Sequence, residues 1–272
     1  MVTYPTPDEC RDGKPNALGW WSPIEYGAMF NGLYMDAAVR RWERSRSAED
    51  AAKPRRLMEG LLKLNSISEV KGFVGRGVSS DGRSHYSMGS NDQTLPWLVG
   101  LWRYWQSELA SPDEKARIAR HLVATVEEIV KLGWKMPAEA LFGTRGSFNG
   151  FHFDEVAQML FTLKLMQTVT DDEKLLAMYR RELAQRGGEK MLTKLEVAEA
   201  GMSYFYAKTH NWTSCMVVSA LRGLWELETD AMFKAAYARG LTASAKLAAE
   251  SLPLTALTRM CGWSPTRFVC WC

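Results

Sequence analysis

Three acidic residues stand where helices of this chain are expected to begin: Glu25, Asp92 and Asp154, with Glu155 as a substitute for the last. Two carboxyl groups facing one bond can do general acid/base work. One donates a proton to a leaving oxygen, and the other activates water or attacks directly. Asp92 and Asp154 lie about sixty residues apart, so successive helices could present both to one cleft. Asp at a helix start is also a favoured N-cap and is stabilised by the helix dipole. That position lowers an acid's pKa and suits a base. A proton donor there requires burial or a neighbouring carboxylate to offset the dipole.

Other reactive side chains gather in the same stretches. His85 and Tyr86 precede Asp92, His152 precedes Asp154, and His210 precedes Trp212. A loop histidine can bind hydroxyl groups, move a proton, or simply order its loop. Arg76, Arg83, Arg145 and Asn149 share these loops and could neutralise a carboxylate. A His and Tyr pair beside such groups equally suits elimination next to a uronate carboxyl. Trp20, Trp21 and Trp212 stand at helix entrances and could stack on flat ligand faces, with Trp97 one turn further in. Trp102, Trp105 and Trp225 fall within an apolar periodicity and are expected to pack in the core, while His121 suits a packing or surface role. The segment GFVGRG is not a dinucleotide fingerprint, because no strand clearly precedes it and its spacing is wrong. No GxSxG, HExxH or P-loop occurs, and RRWERSR reads as a solvated helix end.

The elements that must position these groups alternate between helices and Gly-rich loops. A first helix is expected over about 23–44, with Ile24, Phe30, Leu33, Tyr34 and Ala37 at helical spacing. Ser22, Pro23 and Glu25 form its start signal. Ser47 and Asp50 open a second helix ending near Leu64. The loop KGFVGRGVSSDGRSHYSMGSN lacks a long apolar run and is expected on the surface. Further hairpins are expected over about 91–133, 154–186 and 213–251, giving one domain over 1–252 with the first at about 23–65. The stretch 187–210 fits a short helix or a strand, and 253–272 reads as an irregular tail. The segments FNGLYMDA, LVGLWRYW, LFTLKLMQ and LRGLWELE align on Gly32, Gly100, Thr162 and Gly223. This is a repeat of roughly sixty residues, one helical hairpin plus a loop, whose units must stack to bury their apolar faces. A small residue at each aligned position lets neighbouring helices approach closely.

The chain has 272 residues, 46% hydrophobic and 24% charged, an ordinary globular balance. A net charge of +3 without a basic stripe does not imply a nucleic-acid partner. Eleven Trp is a heavy load and points towards flat ligands as well as core. The five cysteines, Cys10, Cys215, Cys261, Cys270 and Cys272, suggest neither a disulfide framework nor a metal site. No signal peptide or transmembrane run is read, so the expected location is cytoplasmic for the chain as it stands, or periplasmic or secreted if its N-terminus is incomplete.

Two segments and the repeat resemble the six-hairpin glycosidase superfamily, the (α/α)6 toroids: WWSPIEYGAMFNGLYMDA and GFVGRGVSSDGRSHYSMGSNDQTLPWLVGLWRYW. The likeness covers roughly 19–250 and is greatest to uncharacterised bacterial members, more distantly to the unsaturated glucuronyl hydrolases. It implies an all-α toroid of hairpins and a sugar site in the funnel formed by the loops before the inner helices. It also implies that Asp92 and Asp154 match the aspartates at consecutive inner-helix starts. A complete toroid has six hairpins, and four are counted here. The resulting expectation is a hydrolase acting on an oligosaccharide or polysaccharide fragment, without a cofactor, membrane or nucleic acid. Its rivals are a polysaccharide lyase using His85 or Tyr86, and a non-catalytic toroid binding sugar or protein.

Overall fold

A computed structural model describes residues 26–78, 82, 85–139, 143–203 and 212–260, with only the backbone described for 212–213 and 251–260. The described chain is mostly helical, with a few very short strands. Four helical pairs follow one another: α1 (Gly27–Ser45) with α2 (Ala48–Leu64), α3 (Asn91–Gln106) with α4 (Pro112–Lys131), α5 (Phe153–Thr170) with α6 (Glu173–Ala184), and α8 (Trp212–Leu227) with α9 (Ala231–Met260). Between them lie the antiparallel strands β1 (Lys135–Pro137) and β2 (Thr144–Ser147), the antiparallel pair β3 (Arg186–Gly187) and β4 (Leu192–Thr193), and a short helix α7 (Lys194–Ala200).

Local chemistry fixes the joints. Arg46 adopts a left-handed conformation that ends α1, and the Ser47 hydroxyl then accepts the Asp50 N–H to start α2. Ser111 and Glu114 form a reciprocal capping box at α4, with Pro112 at the first helical position. Thr193 and Glu196 do the same for α7.

The first helix of every pair runs in the same direction. Along α1 and α3, the Met29 N–H donates to Gln93 Oε1, Gly32 abuts Gly100, and Asp36 pairs with Arg103, so the two advance together. Along α5 and α8, Phe161 meets Gly223 and Lys164 meets Glu228. Trp102 and Arg103 join α3 to α8 through Gly223 and Glu226. Their starts therefore share one end of the molecule, here the loop end. Their finishes share the other, the closed end. A Cβ on Gly100 would sit 2.7 Å from the Gly32 Cα, and one on Gly223 would collide with the Phe161 ring. The repeat glycines thus mark helix crossings. At the third repeat position, the buried Thr162 hydroxyl donates back to the Gln158 carbonyl at 2.8 Å.

The core fills the space between these helices: Trp97, Leu98, Trp102, Val156, Phe161, Leu221 and Leu224 are inaccessible to solvent. The Trp97 Nε1–H is spent on the Leu61 carbonyl at 2.8 Å, a structural bond between α3 and α2. His121 also has a packing role, paired with Asn65 at 2.8 Å.

Several expectations are corrected. Phe30 and Tyr34 are exposed, because α1 crosses α3 at Gly32 and buries the face that carries Ala28, Gly32, Met35 and Val39. Trp225 is also exposed rather than core. The loop expected on the surface folds inward: Phe73, Val74 and Arg76 are buried, held by Asn65 Nδ2–H to the Phe73 carbonyl and the Gly75 N–H to the Leu64 carbonyl. The stretch 187–203 holds β4 and α7, whereas 204–210 lies outside the described residues. Helix α9 continues to Met260, into the segment expected to be irregular.

The closed end is ionic. Arg103 pairs with Glu226 and Asp36, and Arg222 bridges the same two carboxylates, joining α1, α3 and α8. Nearby, Glu228 accepts from Lys164, the Tyr179 hydroxyl and two backbone N–H groups, while Tyr179 and Tyr237 share a hydrogen bond. Burial pushes both phenols well above their ordinary pKa.

Candidate site at the loop end

Asp92 lies in the first turn of α3 and is almost buried. Its Oδ1 accepts from the Ser90 hydroxyl and faces Arg76 Nη2 at 3.6 Å, and its Oδ2 faces Gln93 Nε2 at 3.4 Å. Arg76 is 1% exposed. It donates to the Met88 carbonyl and to the Ser90 hydroxyl, and its guanidinium lies over the Tyr86 ring at 5.4 Å. The Arg76 carbonyl accepts the Gly27 N–H at 2.6 Å, tying this cluster to the start of α1. Arg76, Ser90 and Asp92 therefore form one buried charged unit, with the half-buried Tyr86 ring against it.

His85 lies beside this unit, with its Nε2 2.6 Å from Glu139 Oε1 and its ring tilted against Phe73. Burial raises the Glu139 pKa, but hydrogen bonds from His85 and Ser68 outweigh it, and the net shift is downward. Glu139 follows β1 and its N–H reaches the Ser87 carbonyl, so the hairpin of β1 and β2 is stitched to the loop before α3. Arg145 on β2 is exposed and contacts the Met88 sulfur at 3.7 Å, while Gly146 lies against Asn91. Gly146 has φ of 77°, a conformation that favours glycine. Asn149 is exposed, its N–H donating to the Ser147 hydroxyl.

The hairpin leads into α5. There Asp154 is 7% exposed and Glu155 half-buried, at the second and third helical positions. Burial pushes the Asp154 carboxyl up in spite of backbone hydrogen bonds and the neighbouring His152. Burial raises Glu155 too, with the Asp154 charge adding to it. The Glu155 carboxylate accepts the His152 N–H at 3.1 Å. His152 and Glu155 line a pocket of about 510 Å³ whose other walls include Phe151, the β3–β4 turn at Gly187 and Gly188, and Val197 of α7. Gly187 is required there, because a Cβ would enter the Phe151 ring.

The structure thus brings His85, Tyr86 and Asp92 together with Arg76, and sets His152 beside Asp154. Arg145 lies next to the first cluster, and Asn149 does not join either. Glu25, Trp20, Trp21, Arg83 and His210 lie outside the described residues, and of Trp212 only its place at the start of α8 is described. Glu139 and Gln158 were not singled out by sequence. Glu139 carries no motif, whereas Gln158 follows Asp154 by one helical turn and could have been found by extending that face.

Among the described residues no cluster of His, Cys, Asp and Glu could hold a metal ion, and no helix is long and apolar enough to cross a membrane. In comparisons with known proteins, the chain matches no family model, no curated protein sequence and no solved structure. The loop end offers two carboxyl environments: Asp92 bound by a buried guanidinium, and Asp154 shifted towards its neutral form.

Proposed function

We propose that the protein is a glycoside hydrolase of α/α-toroid architecture, cleaving an oligosaccharide at its loop end. The parallel first helices with their returning partners support the toroid reading. The observation that carries the reaction is Asp154. It begins an inner helix, where the dipole favours the charged form, yet burial overrides the dipole and raises its pKa. Such a carboxyl can hold the proton that a glycosidic oxygen requires on leaving. Asp92, held by Arg76 and Ser90 in the first turn of α3, serves as the second carboxylate. His152 and Glu155 line the adjacent pocket, and no cofactor is required.

The test is an activity screen on neutral and uronate-containing oligosaccharides, with Asp92→Asn and Asp154→Asn alongside. The expected result is reducing sugar released by the wild type and a rate about 10²-fold or more lower in folded Asp154→Asn, the scale of lost general acid catalysis. Undiminished release by both variants would remove the pair.

One observation favours a second reading. His85 is oriented by Glu139 at 2.6 Å, the arrangement of a histidine base steadied by a carboxylate. With it the chain would act as a polysaccharide lyase. Its product would be an unsaturated sugar absorbing in the near ultraviolet, which a hydrolase does not form.

A further inference from the structure

Lys164 lies on α5 towards the closed end, a cation with only 7% of its side chain exposed. An ammonium group carries three N–H donors and no acceptor. A buried charge is retained where it is paired and hydrogen-bonded, and a charge-assisted bond of this kind measures about 2.7–2.9 Å. Lys164 falls short of that. The one hydrogen-bond partner of its ammonium among the described residues is Glu228 Oε1 at 3.4 Å, and its Nζ lies 5.4 Å from the centre of the Tyr179 ring. Glu228 is satisfied without it: the Tyr179 hydroxyl at 2.6 Å and the N–H groups of Thr229 and Asp230 at 2.8 and 3.0 Å fill its carboxylate. The other buried lysine differs. Lys194 donates to Glu182 Oε2 at 2.6 Å and to the Met159 sulfur at 3.2 Å. Lys164 is therefore left with donors that the fold does not use.

Those donors belong to the wall of a second pocket. It holds about 510 Å³, is separate from the one beside Glu155, and lies between α5, α6 and the turn from α8 to α9. Lys164 lines it, as do Tyr179 and Arg180 of α6. Arg180 is exposed and has no ion-pair partner among the described residues, so it brings a second available cation to the rim. The acids of the α8–α9 wall are engaged. Glu226 is paired with Arg103 and Arg222, Glu228 is filled, and Asp230 accepts the Met232 and Phe233 N–H groups at the start of α9. Asp171, at the end of α5, keeps the pocket from being strongly cationic. Leu176, Leu227 and Phe233 add apolar wall. Two cations with spare donors fit one negative charge, the remaining carboxylates oppose a second, and the apolar wall suits an organic body.

We infer that this pocket binds a small monocarboxylate with an apolar body, its carboxylate held by the spare N–H donors of Lys164 and by Arg180 at the rim. The site is distinct from the proposed reaction centre, because Lys164 lies about 15 Å further along α5 than Asp154. It does not depend on whether the loop end processes a sugar.

The test uses the full chain, with acetate, butyrate and benzoate as probes and phosphate and tetramethylammonium as contrasts, read by titration calorimetry and thermal shift. The wild type is expected to bind at least one carboxylate and to melt higher in its presence. Lys164→Met keeps an unbranched stem and removes the charge. It is expected to bind that carboxylate about tenfold or more weakly, the scale of a lost hydrogen bond to a charged group. Arg180→Gln changes an exposed side chain and is expected to weaken binding about twofold to fivefold, the scale of an exposed ion pair. It decides the matter should Lys164→Met fail to fold. No binding of any carboxylate by the wild type, binding unchanged in either folded variant, or phosphate or tetramethylammonium bound more tightly than the carboxylates would each overturn the inference.

Discussion

The two ends of the parallel helix layer treat polar groups in opposite ways. At the closed end Arg103, Arg222, Asp36 and Glu226 neutralise one another, and Glu228 is saturated with donors. At the loop end two adjacent carboxyl groups are raised by burial, and a glutamine amide one turn away has no partner. The first arrangement holds helices together. The second costs stability, and folds retain such costs where a ligand or a reaction makes use of them. The same helix, α5, joins both ends: Asp154 and Gln158 near its start, Lys164 paired with Glu228 further along.

The largest expected effect lies at the closed end. Arg103→Ala removes the cation that three helices share and leaves Glu226 with the half-exposed Arg222, and Asp36 with Arg222 and the exposed Arg40. The Glu226 carboxyl is held below its ordinary range because, although burial raises it, hydrogen bonds and charge from Arg103 outweigh that rise. Breaking a largely buried pair by deleting one partner costs about 3–5 kcal/mol. Denaturant unfolding should show this loss, and a change under about 1 kcal/mol would mean that the network is ornamental, with the surface value of an ion pair.

A smaller loss is expected from His85→Ala at the loop end, where Glu139 would keep its burial and lose its main partner. Removing one side of such a hydrogen bond costs about 1–3 kcal/mol. Glu139 is depressed in the fold, so its contribution is present above the ordinary value of 4.5 and is lost as the pH falls through the lower folded value. The destabilisation by His85→Ala should therefore be full at neutral pH and shrink below 4.5. A penalty that does not shrink below 4.5 would show that the pair does not stabilise the ionised carboxylate.

The sequence showed the two ends unequally. Start signals such as Ser47 with Asp50 and Ser111 with Glu114 were legible because caps are local chemistry. The repeat glycines were legible as close approaches because only the smallest residue fits where Gly32 and Gly100 cross. Asp92 and Asp154 were legible as helix-start acids, but their environments were not. The Arg76 partner comes from a loop that lacked any apolar run and looked solvated. Phe73 and Val74 nevertheless anchor it inside, a packing decision made by α2 and α4. The ionic network was equally hidden, since Asp36, Arg103 and Arg222 are separated by long intervals and carry no shared pattern. Phe30 and Tyr34 misled for a related reason: periodicity identifies a helix, but close approach to α3 selects the face that carries Gly32 for burial.

The smallest expected effect has the opposite sign, and it is the sharpest test of the contrast. Asp154→Asn keeps shape and hydrogen-bonding capacity but cannot ionise. A carboxyl raised in the fold binds its proton more tightly when folded than when unfolded. Its stabilising contribution is therefore full below the ordinary value of 3.8 and is lost as the pH rises through the folded value. Above the folded value the wild type carries a buried charge that the variant does not. Asp154→Asn should match the wild type near pH 3 and become more stable above pH 4, by about 1 kcal/mol at neutral pH, the usual gain when a functional residue is replaced. Thermal melts across that range would read it, with Glu155→Gln as the neighbouring control, because its carboxyl is raised from 4.5 by the same burial. A variant that is less stable at neutral pH would mean that the Asp154 carboxylate is bonded like those of the closed end, and the distinction between the two ends would fail at its central residue.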